Sequence, residues 1–239
     1  MKYIYGPVPS RRIGPSLGLS LIPYKVCSFD CIYCQLGACD KTVSQRAEYV
    51  NLDEVFAELA AWLKDNPGPA ATLKHITFSG FGEPTLHTKL GEAINRARQV
   101  TGLPVCVITN ASMFADASVR AVLKDVELVI PSLDAVDQDI FERIDRPAKG
   151  IDLQGIIDGL VAFRKEYKGQ FWLEVMIVKG VNDQPEHIAK LKAAIDRINP
   201  DKVQLNSPVR KTAEPGVVPA DRSTLEQICA ALGPNCEIV

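Results

Sequence analysis

The chain has 239 residues, a formal net charge of −2 and 46% hydrophobic residues, which describes an ordinary globular protein with a sizeable core. This charge excludes indiscriminate nucleic-acid binding through a strongly basic face, and no apolar run is long enough to span a bilayer. The pair Arg11–Arg12 is not followed by the apolar region of an export signal, so we expect a cytoplasmic protein without a targeting segment. Seven cysteines in such a chain indicate metal binding or catalysis more than a disulfide framework.

Six short apolar runs predict parallel strands, because each run is continuous, as in strands covered on both faces. They are 17–23, 75–80, 105–109, 128–133, 172–178 and 202–206. Amphipathic segments at helical spacing separate and follow them. They are 52–65, 89–100, 116–125, 153–167, 186–198 and 222–232.

This βα rhythm, repeated six times, predicts a parallel sheet with helices outside, wound by right-handed crossovers. Six strands are fewer than the eight of a closed barrel, so we expect a laterally open, partial (β/α)6 TIM-like barrel. A flat, doubly wound sheet is the alternative. We expect a single domain over 1–239, with an N-terminal extension over 1–16 and a C-terminal loop and helix over 207–239.

Polar or glycine-containing segments follow every predicted strand. In chain order they are the cysteine cluster, SGFGEPT (79–85), TNAS (109–112), PSLDA (131–135), KGVND (179–183) and NSP (206–208). Because the carboxyl ends of parallel strands meet at one edge, we expect all of them at the same mouth of the barrel. The sequence therefore predicts the functional site at this mouth.

Cys27, Cys31 and Cys34 follow the first predicted strand and are the predicted metal ligands at the centre of catalysis. Soft thiolates suit both iron and zinc. A structural zinc site would need a fourth ligand, which Cys39 could supply, whereas a disulfide is disfavoured by the expected compartment. A [4Fe–4S] cluster held by only three cysteines would instead leave one iron open for a small molecule.

Several side chains at the other strand ends are candidates for ligand contacts. Gly80 and Gly82 would let the backbone approach a ligand closely, and Glu83 could accept hydrogen bonds from an ammonium group. A plain strand-to-helix turn is the alternative. Glu174, inside an apolar run, needs a partner, either a ligand hydroxyl or a basic side chain within the barrel.

The C-x3-C-x2-C spacing, with Tyr33 before the last cysteine, resembles the signature of the radical S-adenosylmethionine (SAM) superfamily. The resemblance implies a [4Fe–4S] cluster whose open iron is chelated by the amino and carboxylate groups of SAM. It also implies reductive cleavage of SAM to a 5′-deoxyadenosyl radical that abstracts hydrogen from the substrate. The cofactor-binding residues implied by the resemblance are Tyr33, Gly80, Gly82, Glu83, Asn110, Ser132, Asp134, Glu174 and Asn206.

Within that set the resemblance implies distinct contacts. SGFGEPT resembles the segment that holds the methionine amine, although Phe81 separates its glycines. Asn110, Ser132 and Asp134 correspond to contacts with the ribose and the methionine carboxylate, and Asn206 is expected to face the adenine. An enzyme of this kind would also need an electron donor such as flavodoxin or ferredoxin.

Segments such as FERIDRP (141–147) and VQLNSPVR (203–210) resemble compact radical SAM proteins related to the wyosine synthases, which rebuild a guanine base in tRNA. Those synthases hold a second cluster on upstream cysteines, and no cysteine precedes Cys27, so the wyosine reaction itself is not expected. Three functions remain open. The first is a radical SAM enzyme acting on a nucleobase, nucleotide, RNA or other small anion, steered by Arg11 and Arg12. The second is a radical SAM enzyme that activates or modifies a protein or peptide. The third is a non-enzymatic iron–sulfur or zinc module.

Overall fold

One sheet of eight strands organises the computed structural model of the protein, which describes residues 1–39 and 41–239. In spatial order the strands are β1 (Ile4–Ser10), β2 (Gly14–Leu19), β3 (His75–Phe78), β4 (Val105–Thr109), β5 (Leu128–Pro131), β6 (Gln170–Met176), β7 (Lys202–Asn206) and β8 (Cys236–Ile238). β1 pairs with β2 in antiparallel orientation, and every later neighbour pairs in parallel. The predicted parallel α/β architecture is confirmed, with an added strand at each edge.

Helices pack outside this sheet and follow the predicted rhythm. They are α1 (Leu52–Asp65), α2 (Pro67–Thr72), α3 (Leu90–Thr101), α4 (Ala117–Leu123), α5 (Gln138–Ile144), α6 (Leu153–Glu166), α7 (Pro185–Ile198) and α8 (Arg222–Leu232). α1 shows why they form: Val55, Leu59 and Trp62 recur at helical spacing and are buried, while the Asn51 side chain caps the first turn. Burying one such side chain contributes about 2 kcal/mol, so packing rather than propensity holds the helices.

The stretch predicted as an N-terminal extension instead completes one edge of the sheet. β1 contains Pro7 and Pro9, which cannot donate ladder hydrogen bonds, and its pairing with β2 is irregular between Tyr5 and Val8. Prolines are tolerated at such an edge but hide the strand in the sequence. At the opposite edge, β8 is only three residues long.

Arg12, in the turn between β1 and β2, shows that the sheet is curved. Its guanidinium lies 3.0 Å from the Glu174 carboxylate on β6. Four strand spacings separate β2 from β6, about 19 Å along a flat sheet, which an arginine side chain cannot cross. The contact therefore agrees with the partial barrel and not with the flat alternative.

Among residues 1–39 and 41–239, none of the helices combines the length and the apolar character that crossing a bilayer requires.

Candidate functional site

The three predicted cysteine ligands lie on an irregular segment, residues 20–39, that we call the cysteine loop. Its backbone pairs with the end of α5: Asp30 N donates to Asp145 O at 3.0 Å, and Ile32 N donates to Ile144 O at 2.9 Å. Ala148 N donates in turn to Ser28 O at 2.8 Å. These bonds hold a segment without regular structure in one conformation, so the FERIDRP motif positions the cysteines.

Cys27, Cys31 and Cys34 are partly exposed residues whose thiols lie near one another. Burial raises the pKa of the Cys27 thiol to about 12, and the charges of Glu83 and the neighbouring cysteines add to this effect. Burial and nearby charges, Asp145 first, also raise the pKa of Cys31 well above its ordinary value. Both thiols are therefore neutral in the free protein, and metal ligation must displace their protons.

The described side chains do not form a ready-made site for a single metal ion. Across the two described ranges, 1–39 and 41–239, no three His, Cys, Asp or Glu side chains are gathered around one point as ligands of a single metal ion. A structural zinc ion needs four ligands around one point, whereas each cysteine on an iron–sulfur cluster binds a different iron. Cys39, the possible fourth zinc ligand, directs its thiol to the carbonyl oxygens of Lys25 and Phe29, at 3.5 and 3.7 Å. The possible fourth zinc ligand thus contacts backbone carbonyls, and three cysteines remain, the number expected for a [4Fe–4S] cluster with one open iron.

Nitrogen atoms approach two of the three sulfurs. Asn110 Nδ2 lies 3.7 Å from Cys27 Sγ, and Lys25 Nζ lies 4.0 Å from Cys34 Sγ. The third sulfur, of Cys31, lies 3.4 Å from Asp145 Oδ1. Asn110 was predicted to contact a ligand, and the structure places it directly against the cysteine loop.

The glycines of SGFGEPT allow close packing against neighbouring segments of the protein. A Cβ on Gly82 would lie 1.8 Å from Val26 O, so this glycine lets the segment after β3 touch the cysteine loop. A Cβ on Gly80 would lie 2.6 Å from the Tyr5 ring, and one on Gly18 would lie 2.0 Å from the same ring. Both close approaches are to protein atoms, and the prediction that Gly80 and Gly82 also approach a ligand stays a prediction.

Glu83 is buried beneath the mouth and is held by the adjacent strand ends. Its Oε1 accepts from Thr85 N at 2.9 Å, from Thr85 Oγ1 at 2.5 Å and from Thr109 Oγ1 at 2.6 Å, while Oε2 accepts from Asn110 N at 2.7 Å. Burial raises the pKa of Glu83, and these four donors oppose that rise. Each carboxylate oxygen has two lone pairs, so Oε2 keeps capacity for one more donor.

Tyr33 and Asp134 form a second buried polar group beside the cysteines. The Tyr33 hydroxyl donates to Asp134 Oδ2, and Met176 N donates to Oδ1 at 2.8 Å. Burial raises the pKa of Asp134 to about 7. Ser132 and Asn110 line the same small cavity with Tyr33 and Asp134, so four predicted site residues come together here.

Glu174 and Asn206 lie together on β6 and β7, but with a partner that the sequence did not identify. Arg12 Nη1 donates to Glu174 Oε1 at 3.0 Å, and Asn206 Nδ2 donates to the same oxygen at 3.2 Å. This is the internal salt bridge weighed for Glu174. Arg12, expected together with Arg11 to steer an anion, has its guanidinium paired with Glu174.

The segment 207–219, which we call the strap, crosses the mouth from β7 to the cysteine loop. Glu214 N donates to Ile32 O at 3.0 Å, and the Arg210 guanidinium donates to Gln35 Oε1 at 2.8 Å. Arg146 forms an ion pair with Glu214 at 2.6 Å. The sequence analysis gave no functional role to Lys25, Asp145 or the strap. Asp145 lies within FERIDRP (141–147), and VQLNSPVR (203–210) overlaps the start of the strap.

Comparison with known proteins identifies related chains. A sequence profile of the radical SAM superfamily matches residues 21–191. The chain is 40% identical to the GTPase Obg of Brachyspira hyodysenteriae over 99% of its own length, but that match covers 34% of the relative. It is 34% identical to a UPF0026 protein of Methanocaldococcus jannaschii, over 96% of this chain and 71% of that protein. The chain thus spans about a third of the first relative and most of the second.

A solved structure of TYW1 with a lysine-pyruvate adduct bound shares the fold. The TM-score is 0.66, with 21% identity over 91% of this chain and 72% of the other.

Proposed function

Because the chain belongs to the radical SAM superfamily, whose enzymes use a [4Fe–4S] cluster and SAM, we propose that Cys27, Cys31 and Cys34 hold the cluster in this protein. The observation that supports this assignment is the grouping of Cys27, Cys31 and Cys34 on one loop, while the Cys39 thiol is directed to backbone carbonyls instead. When bound, the cluster and SAM supply a 5′-deoxyadenosyl radical by one-electron reductive cleavage.

The surrounding residues bind and orient SAM. Ser132 Oγ makes no hydrogen bond within the described ranges, and Glu174 Oε2 also lacks a partner there, so both can meet ligand hydroxyls. Asn206, on the neighbouring strand, lies beside Glu174 and can turn its amide toward the adenine. Glu83 acts through its remaining acceptor position on Oε2, which suits an ammonium group.

Tyr33 and Asp134 close the site against water. Their hydrogen bond spans from the cysteine loop to the end of β5, and burial raises the pKa of Asp134 to about 7. A dry, preorganised pocket protects a reactive radical from side reactions.

We propose a nucleobase or nucleotide as the substrate, through the resemblance of FERIDRP and VQLNSPVR to the group related to wyosine synthases. Arg12 is neutralised inside the barrel and cannot steer an anion. Arg210 and Lys211 are exposed on the strap beside the cysteine loop and offer positive charge to a phosphate instead.

The test begins with anaerobic reconstitution and reduction. The expected result is about four irons per chain and formation of 5′-deoxyadenosine from SAM, with Cys31→Ala as the inactive control. Zinc in place of iron, or iron without any change to SAM when candidate substrates are present, would contradict the assignment. Comparison of modified nucleosides between a deletion strain and its parent then tests the substrate class, and identical profiles would count against a nucleic-acid substrate.

A further inference from the structure

The side-chain nitrogens of Lys25 and Asn110 face two of the three cysteine sulfurs, and the SAM contact expected of Asn110 does not explain this arrangement. Resting on the proposed function, we propose that Lys25, supported by Asn110, raises the reduction potential of the cluster through Cys34 and Cys27. The two residues act through the sulfurs and touch no reacting atom.

Lys25 is held against the cysteine loop from both ends. Its backbone has φ of +65°, a left-handed conformation that few residues other than glycine adopt. Its N–H donates to Phe81 O at 2.9 Å, and its ammonium donates to Gly37 O as well as facing Cys34 Sγ at 4.0 Å. Backbone conformations of this kind persist only where surrounding contacts determine them. The hydrogen bond to Gly37 O holds the ammonium near Cys34.

The Asn110 amide is oriented by three further contacts. Nδ2 donates to Ser28 Oγ at 2.9 Å, Oδ1 accepts from Ser112 N at 3.0 Å, and the backbone N–H is fixed by Glu83. With the oxygen committed to Ser112, the amide N–H group must face the Cys27 side. Sequence position alone would not reveal this orientation.

The electrostatic consequence follows from the charge added on reduction. One electron makes the cluster and its thiolates more negative, so nearby cations and N–H donors stabilise the reduced state more than the oxidised one. A full ammonium charge has a larger effect than a neutral amide. We therefore expect Lys25 to dominate and Asn110 to contribute less, in the same direction.

The test is a potentiometric titration of the reconstituted cluster, followed by its EPR signal, in Lys25→Gln, Lys25→Arg and Lys41→Gln. Lys41 is an exposed lysine just beyond the cysteine loop, with no hydrogen bond to a cysteine sulfur among the described residues, and controls for the loss of a positive charge that does not face a sulfur. At fixed potential, Lys25→Gln should lower the ratio of reduced to oxidised cluster about tenfold, a shift of about 59 mV for one electron. Lys25→Arg should retain most of the wild-type ratio, and Lys41→Gln should change it less than twofold.

SAM affinity and iron content are measured in parallel. An unchanged ratio in Lys25→Gln, or a change matched by Lys41→Gln, would overturn the inference. Weaker SAM binding with an unchanged ratio would assign Lys25 to the SAM site instead. If Lys25→Gln does not take up iron, Asn110→Leu tests the inference instead. A fall of about threefold in its ratio of reduced to oxidised cluster supports the inference, and an unchanged ratio refutes it. A wild-type protein that binds zinc would refute the proposed function itself, which is a separate outcome.

Discussion

Replacing Gly82 by alanine perturbs the contact that joins SGFGEPT to the cysteine loop. The new Cβ would lie 1.8 Å from Val26 O, whereas real Cβ atoms essentially never come closer than 3.0 Å. The backbone must therefore move by at least 3.0 − 1.8 = 1.2 Å, and Cys27 follows Val26 directly. Overpacking against backbone costs about 3 kcal/mol, which lowers the melting temperature by roughly 6–12 °C in a chain of this size.

Thermal unfolding and iron content after anaerobic reconstitution measure the two consequences of Gly82→Ala separately. We expect the lower melting temperature together with less than half of the wild-type iron. Gly216→Ala is the matched control, because a Cβ there meets nothing within 4 Å, and its stability should stay within about 0.5 kcal/mol of wild type. A Gly82→Ala protein with full iron and an unchanged melting temperature would refute the reasoning.

Three further substitutions test separate parts of the structure. Cys31→Ala should abolish iron binding while the far-UV circular dichroism stays native, and full iron retention would contradict the ligand assignment. Arg12→Met leaves the Glu174 carboxylate partly buried without its cation, so urea unfolding should show a loss of about 2 kcal/mol. Adding Glu174→Gln to Arg12→Met should recover much of the lost stability. A double variant without such recovery would argue against the Arg12–Glu174 ion pair. Asp152→Ala removes the acceptor of the Gly155 N–H at the start of α6 and should cost about 1 kcal/mol in the same assay. An unchanged unfolding midpoint would show that this cap contributes nothing.

Strand prediction succeeded where a continuous apolar run was bounded on both sides. Residues 105–109 and 202–206 are strands with the predicted bounds, because both runs are buried and end in a polar residue. The same rule missed residues 4–10, whose prolines and partial exposure are typical of an edge. Nothing in that stretch alone indicates that another strand lies beside it.

The grouping of the three cysteines could be predicted because its signal is local spacing. The partner of Glu174 could not, since Arg12 lies 162 residues away and is brought to it only by the curvature of the sheet. Gly80 and Gly82 were singled out correctly as places of close approach. The sequence could not show that Tyr5 and the Val26 carbonyl approach them.

The EPR spectrum of the reduced, reconstituted protein, recorded with and without SAM, tests most directly whether three cysteines leave an iron free for SAM. We predict that SAM changes the g-values of the cluster signal, because the cofactor becomes a ligand of that iron. A signal that stays identical at saturating SAM, in a protein with full iron and sulfide, would contradict the account.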